Sequence, residues 1–433
     1  MPELRVPASR RTFLTATALA AAVPLAGRAT ALAGTRLAGT ARAAAPGHAS
    51  DATSAVVLDW YDVTSQAVTA AAFAEPVTQS RAWAVSWLAA ARAIQREGDA
   101  DAAVAAFATA LHDVLAALVP AYQSSLDAAL AGTLAPVQDG RAKDRAIAAG
   151  KYQAAVVLAQ RAGDGLDGAS VDVPWTPPPP WPGVWQPTPP TFGPAIRAGE
   201  GKARPFLLSS GSQFRPGPPP GLTSSAYLTS LAEVYAVGGA TSTLRTSDQT
   251  ATALFWEPAS NVIFVQVLRA AVAASRLSLA SQVNLVAAFH VVTTDAQISI
   301  YDAKYTYVFW RPVTAIQLGS VGQDPGWETL FPTPRHPEYP SGHCGYASAA
   351  EAVLTAFLGP LAPAPVSATS PDAPAVTHTY STWQQITQEN VDARVWGGIH
   401  FRSTDETGVA VGHQVASYAL AKIGAIGLRV PGQ

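Results

Sequence analysis

Between Val173 and Gly221 the chain concentrates nearly half of its 35 prolines, in runs such as VPWTPPPPWPGVWQPTPPTFGP and RPGPPPG. Proline lacks a backbone donor and clashes with the turn before it, so this stretch forms neither helix nor central strand. It runs extended and separates what lies on either side. A flexible linker would be polar, whereas this one holds Trp175, Trp181, Trp185 and Phe192. Aromatic side chains of that size belong on packed surface. The stretch therefore reads as a strap across the body of the protein, with the tryptophans as its anchors.

Both flanks read as helix. In DAAVAAFATALHDVLAALVPAY, Val104, Phe107, Leu111, Val114, Leu115 and Leu118 recur at three- and four-residue steps, one apolar face of a helix. The same texture returns in GRAKDRAIAAGKYQAAVVLAQRAGDG, and helical spacing resumes from Ser224 to the C-terminus. Period-2 patterns are few. The expected fold is all-α: two four-helix-bundle-like halves, 50–170 and 223–433, joined by the strap at 171–222.

Only 13% of residues are charged and the formal net charge is -2, so nothing points to nucleic acid or an anionic surface. The N-terminus carries Arg10-Arg11 before a modestly apolar stretch and small-x-small sites ending near 33 or 45. Residues 1–45 thus read as a twin-arginine export signal, with a secreted, periplasmic or cell-envelope destination. Beyond it the apolar stretches are interrupted by Arg269, Arg276, His290 or Lys422, so no transmembrane segment is expected. Cys344 is the only cysteine, which excludes an intrachain disulfide.

In a chain this poor in charge, three stretches stand out. KYTYVFWRP holds Lys304 and Arg311 seven apart, nearly two helical turns, which predicts both cations on one face of a helix ended by Pro312. Their aromatic neighbours predict burial, and Asp295, Asp302 or a bound anion are the candidate counter-charges. In HPEYPSGHCGYASAAEAV, Pro340 fixes the chain, Ser341 suits a helix N-cap and Gly342 permits close approach to the backbone. Free amides and the helix dipole make such a terminus an anion site, with His343 beside it. In ARVWGGIHFRSTDETG, Gly397-Gly398 lets the chain turn and bring Arg394 and His400 to one point. Cys344 reads as a small buried side chain. His112, His290, His378 and His413 have no matching partner spacing and read as structural or surface residues.

The ordered set Lys304-x6-Arg311-Pro312, Pro340-Ser341-Gly342-His343 and Arg394-x5-His400 resembles the signature of the vanadium-dependent haloperoxidases and type 2 phosphatidic acid phosphatases. DAKYTYVFWRPVTAI, HPEYPSGH, GGIHFR and the Trp/Pro strap are similar to the soluble bacterial haloperoxidase-like branch. The resemblance implies nearly all-helical proteins with an oxyanion, vanadate or phosphate, held between two bundles. Carried over by position, Lys304, Arg311 and Arg394 neutralise its oxygens, and Ser341 and the Gly342 amide add hydrogen bonds. His400 is the nitrogen ligand to vanadium, or the nucleophile of a phosphatase, and His343 is the acid/base. Hydrogen peroxide, a halide and a small organic acceptor are the implied partners, or a phosphomonoester. His336, five before Ser341, stands where the bromide enzymes of the family resemble one another in having histidine. One departure matters: Thr404 stands where the phosphatase pattern has aspartate, so the carboxylate that orients His400 is expected from the neighbouring Asp405 or from Asp295.

The leading expectation is an exported vanadate-dependent haloperoxidase favouring bromide. A soluble acid phosphatase acting through a phosphohistidine at His400 is the alternative. A non-catalytic anion-binding helical protein is the third.

Overall fold

The computed structural model describes residues 48–95 and 97–432. The expected export signal, 1–45, lies outside the described residues. Helices α1 (His48–Ala70), α2 (Pro76–Ile94), α3 (Ala100–Leu118), α4 (Gln123–Leu134) and α5 (Arg141–Gln160) form the N-terminal half. Asp99 starts α3 by accepting the Ala102 N–H, and the apolar face read from the sequence turns inward. Phe107 packs edge-on against Trp60 and Trp87 there, at 6.5 and 5.6 Å between ring centres.

A single turn, α6 (Gly168–Val171), leads into the strap. Its anchoring differs from the expectation. Trp185 is buried and Trp175 meets Tyr305 edge-on at 5.0 Å, but Trp181 and Phe192 are 76% and 63% exposed. Charge does most of the fastening. Asp295 accepts the backbone N–H groups of Phe206, Leu207 and Leu208 at 2.6, 2.8 and 3.1 Å. Arg161 lies 3.8 Å over the Phe206 ring and donates to the Pro205 carbonyl, while Arg215 grips Asp302 at 2.7 and 2.9 Å. At Gly201 an added Cβ would collide with the backbone of Asp302, so only glycine lets the strap pass this closely. Asp295 and Asp302 are thereby committed to the strap, and neither pairs with Lys304 or Arg311.

The C-terminal half comprises α7 (Ser225–Gly238), α8 (Ser247–Phe255), α9 (Ser260–Ala274), α10 (Leu279–Tyr307), α11 (Pro312–Leu318), α12 (Gly342–Leu358), α13 (Trp383–Trp396) and α14 (Arg402–Lys422). Helix α10 runs through the middle and packs on α2 as well as on α12 and α14. Helices α3 and α10 are long and apolar enough to cross a membrane, a length the interruptions counted in the sequence concealed. Both spend that apolar surface inside the protein: the tested window of α10 is wholly buried and that of α3 is 67% buried. The second departure is a two-stranded antiparallel hairpin, β1 (Leu361–Ser370) and β2 (Ala373–Thr382), inserted between α12 and α13. Val366, Ala368 and Ser370 alternate inward, a period-2 pattern that small residues and Pro363 and Pro365 obscure in the sequence.

Candidate active site

Lys304 sits on the last turn of α10, which ends at Tyr307. Val308 then takes a left-handed backbone, φ 51°, and Phe309 bridges to Val184 of the strap. Arg311 is consequently the N-cap of α11, not a second residue on the face of α10. The expected single helix is replaced by a sharp turn, and that turn aims both cations inward. Each is 0% exposed. Lys304 Nζ donates to the carbonyls of Pro337 and Glu338 at 3.0 and 2.8 Å. Arg311 donates to the carbonyls of His336 and Ile399 at 3.1 and 2.8 Å.

Ser341 caps α12, which runs to Leu358 and stops at Gly359, φ 82°. Arg394 lies on the last turn of α13. Gly398, φ 79°, makes the turn that follows, where any Cβ would collide with the Gly238 carbonyl. Two residues on, His400 points back into the protein. Its Nε2 is 3.1 Å from Arg311 Nη1 and its Nδ1 is 2.7 Å from Glu338 Oε1. Arginine is always a donor, so Nε2 carries the lone pair and Nδ1 the proton. Burial, then Arg311 and Lys304, push the His400 pKa well below its usual value, which keeps the ring neutral.

Glu338 is the residue that sequence reasoning missed. Its Oε1 also accepts from the Phe401 N–H at 3.1 Å and from the Thr404 hydroxyl. Burial pushes its carboxyl up to about 7, while Arg311 pulls the other way. Neither expected orienter reaches His400. Asp295 faces the strap, and Asp405 accepts from Cys344 Sγ at 3.3 Å, within reach of Ser341 and Arg394. Burial raises Asp405 well above the carboxylate range, leaving it neutral. Cys344 is buried in α12 as expected.

His343 is half-buried, and its Nε2 lies 2.9 Å from the Pro258 carbonyl. A carbonyl only accepts, so Nε2 bears the proton and Nδ1 is free to take one. Burial and Arg394 lower its pKa well below the usual value. Arg394 donates to the Trp256 carbonyl, two residues before Pro258. Trp256 is fixed in turn by Glu389, which accepts from the indole N–H at 2.7 Å and from the Tyr380 hydroxyl at 2.6 Å. His336 is 8% exposed, its Nδ1 3.1 Å from Arg311 Nη2. The other histidines lie apart: His290 stacks on Trp83 at 4.7 Å, His112 sits between Asp113 and Asp127, and His378 pairs with Glu389.

His336, Gly342, His343, Arg394 and His400 line one cavity of about 210 Å³. Behind it, Ser341 has Asp405 and Cys344 beside it, and Arg394 Nε is buried without a hydrogen-bond partner. Buried polar groups are seldom left so. Three basic side chains stand here against two carboxylates, Glu338 and Asp405, both of which burial pushes towards the neutral form, as it also does Lys304; the basic excess suits a tetrahedral oxyanion. Vanadate and phosphate both fit that donor set. Fold and site together define a helical protein with a buried cluster of basic side chains at a cavity lined by three histidines.

Residues 284–426 match the family described as the VCPO second helical-bundle domain. Among solved structures, the chain is similar to the first bacterial vanadium-dependent iodoperoxidase: TM-score 0.72, 24% identity, 85% of this chain and 96% of that one. It is also similar to the holo form of a bacterial vanadium-dependent chloroperoxidase: TM-score 0.60, 18% identity, 81% of this chain and 92% of that one. No curated protein matches. The family match covers the C-terminal helical region, and the structural matches show a shared fold over 81–85% of the chain.

Proposed function

We propose that this chain is an exported vanadate-dependent haloperoxidase that oxidises halide, bromide by preference, with hydrogen peroxide and serves a small organic acceptor. One observation carries the reading: His400 turns an unprotonated Nε2 towards Arg311, with Lys304 and Arg394 buried close enough to lower its pKa. Vanadate supplies the Lewis acidity that activates peroxide. Lys304, Arg311 and Arg394 would neutralise its oxygens, Ser341 Oγ and the Gly342 amide would donate to them, and His400 Nε2 would be the nitrogen ligand. Phosphate can occupy the same cage.

The remaining work belongs to the chain. Glu338 holds the proton on His400 Nδ1 and so keeps Nε2 unprotonated; Nε2 would exchange its bond from Arg311 Nη1 for the ligand. His343, tethered through Nε2 to Pro258, accepts at Nδ1 the proton that hydrogen peroxide releases on binding. His336 sits on Arg311 at the cavity wall, the position to which the resemblance ties bromide. The paired arginines at 10 and 11 support export.

The test incubates purified protein with orthovanadate and follows bromination of a phenol-type dye with peroxide and bromide, with chloride and iodide in parallel. Turnover above the vanadate blank is expected, fastest with bromide over chloride. Absence of turnover in folded protein rejects the proposal. Hydrolysis of p-nitrophenyl phosphate by the vanadate-free sample, without bromination, would instead establish the phosphatase.

A further inference from the structure

The cavity has a second wall that oxyanion chemistry leaves unused. It is built from the start of α2, the strap and the start of α9, with Glu75, Arg197 and Asn261 lining it. Its charges do not balance. Glu200, 0% exposed, takes the Arg197 guanidinium at 2.6 and 3.0 Å, and Glu75 stands 3.6 Å from the same guanidinium. Glu75 and Glu200 therefore share one cation, and Asp172, which shares a side-chain hydrogen bond with Glu75, adds a third acidic group to the same cluster. Arg197 cannot swing away to change this: its φ is 62°, its guanidinium lies 3.9 Å over the Tyr301 ring, and its N–H is held by Asp172 at 2.7 Å.

A second observation, independent of charge, falls on the same edge. Asn261 is 7% exposed, and its Nδ2 donates to Gln79 Oε1 at 2.8 Å. Its orientation is fixed by a relay. Gln79 Nε2 donates to the Phe73 carbonyl at 3.1 Å, which turns Gln79 Oε1, an acceptor, towards Asn261. Asn261 must answer with its amide N–H, and its Oδ1 is left buried with no partner. Gln79 N–H bonds the Glu75 carbonyl at 3.2 Å, so these residues stand one helical turn apart. Asn261 and Glu75 both line the cavity. Glu257 adds a third acceptor to the cavity lining.

The missing ligand is a cation that also donates hydrogen bonds. Among the described residues no His/Cys/Asp/Glu group is arranged to hold a metal. We infer that this wall binds the primary ammonium group of a small organic molecule, its charge met by Glu75 and one N–H by Asn261 Oδ1. Identifying that molecule as the halogen acceptor rests on the haloperoxidase reading; the binding itself does not. Without the cation, Glu75 relieves the imbalance by holding a proton, since burial pushes its carboxyl up to about 7 against the pull of Arg197.

Calorimetric titration of the full chain at pH 8 with benzylamine and with benzyl alcohol tests this. The amine should bind at least about tenfold tighter than the alcohol. Glu75→Gln should abolish that preference and Asn261→Leu should reduce it several-fold, with thermal melts confirming that each variant is folded. If Asn261→Leu does not fold, Glu75→Gln alone decides. Wild-type protein that binds the amine no better than the alcohol, or an unchanged preference in Glu75→Gln, overturns the inference. Amine binding without bromination leaves the subsite standing and rejects the haloperoxidase. Bromination without amine preference does the reverse.

Discussion

Two sets of buried cations in this molecule are held in opposite ways. Arg161 and Arg197, which fasten the strap, each close on a carboxylate: Asp164 at 3.0 Å and Glu200 at 2.6 Å. Lys304, Arg311 and Arg394 instead donate to the backbone carbonyls of Pro337, Ile399 and Trp256. Carbonyl dipoles orient a cation without cancelling its charge. Burial lowers Arg311 and Arg394 to about 10. At Arg197 the same burial is outweighed by its anionic neighbours, Glu200 first, and the value rises, while at Arg161 burial prevails over Asp164 and the value falls. The strap's arginines close on carboxylates, whereas in the second set the hydrogen-bond acceptors are carbonyls and, for Arg311, the rings of His400 and His336.

The sharpest way to break this contrast is at its centre. His400→Ala should lower bromination on the order of 10²–10⁴-fold, down to the vanadate blank, measured by dye turnover. Next, Arg394→Ala and Arg161→Ala should separate. The first removes charged donors worth about 1.5–3 kcal/mol each, so orthovanadate affinity by calorimetry should drop about 10- to 100-fold. The second should leave that affinity unchanged and depress the melting temperature, because it removes one of two arginines on Asp164, Arg81 remaining at 2.9 Å, together with the donor to the Pro205 carbonyl, a loss of about 1.5–3 kcal/mol. Equal effects on affinity would end the distinction. Glu338→Gln keeps the shape but favours the wrong His400 tautomer, and kcat should fall about 10–100-fold, with partial recovery in Glu338→Asp.

The smallest effect is a pH dependence at the acidic wall. Glu75, facing Arg197, Glu200 and Asp172, ionises as pH rises through about 7, and an alkylammonium stays charged well above that. Benzylamine affinity should therefore climb about tenfold from pH 6 to pH 8 in wild type and stay flat in Glu75→Gln.

The helical class was legible because α3 and its neighbours repeat apolar residues at helical steps. The cage was legible in residue type and order, though for a partly mistaken reason. Lys304 and Arg311 converge through the left-handed turn at Val308, and seven-residue spacing on one helix plays no part. Glu338 stood in plain view inside HPEYPSGH. No spacing rule links a carboxylate to a histidine 62 positions later, because that contact depends on how the loop before α12 meets the turn before α14. Asn261 and Arg197 gave no signal at all, since what distinguishes each is a partner brought by a distant element. The hairpin hid behind its prolines and small side chains.

Helix α10 has a consequence of its own. It holds the strap through Asp295, the cage through Lys304 and the N-terminal half through its packing on α2. One helix thus links the strap, the basic cluster and the N-terminal helices. Oxyanion binding should therefore register as a higher temperature for one cooperative transition, shared by regions that never touch the anion, without splitting it into two.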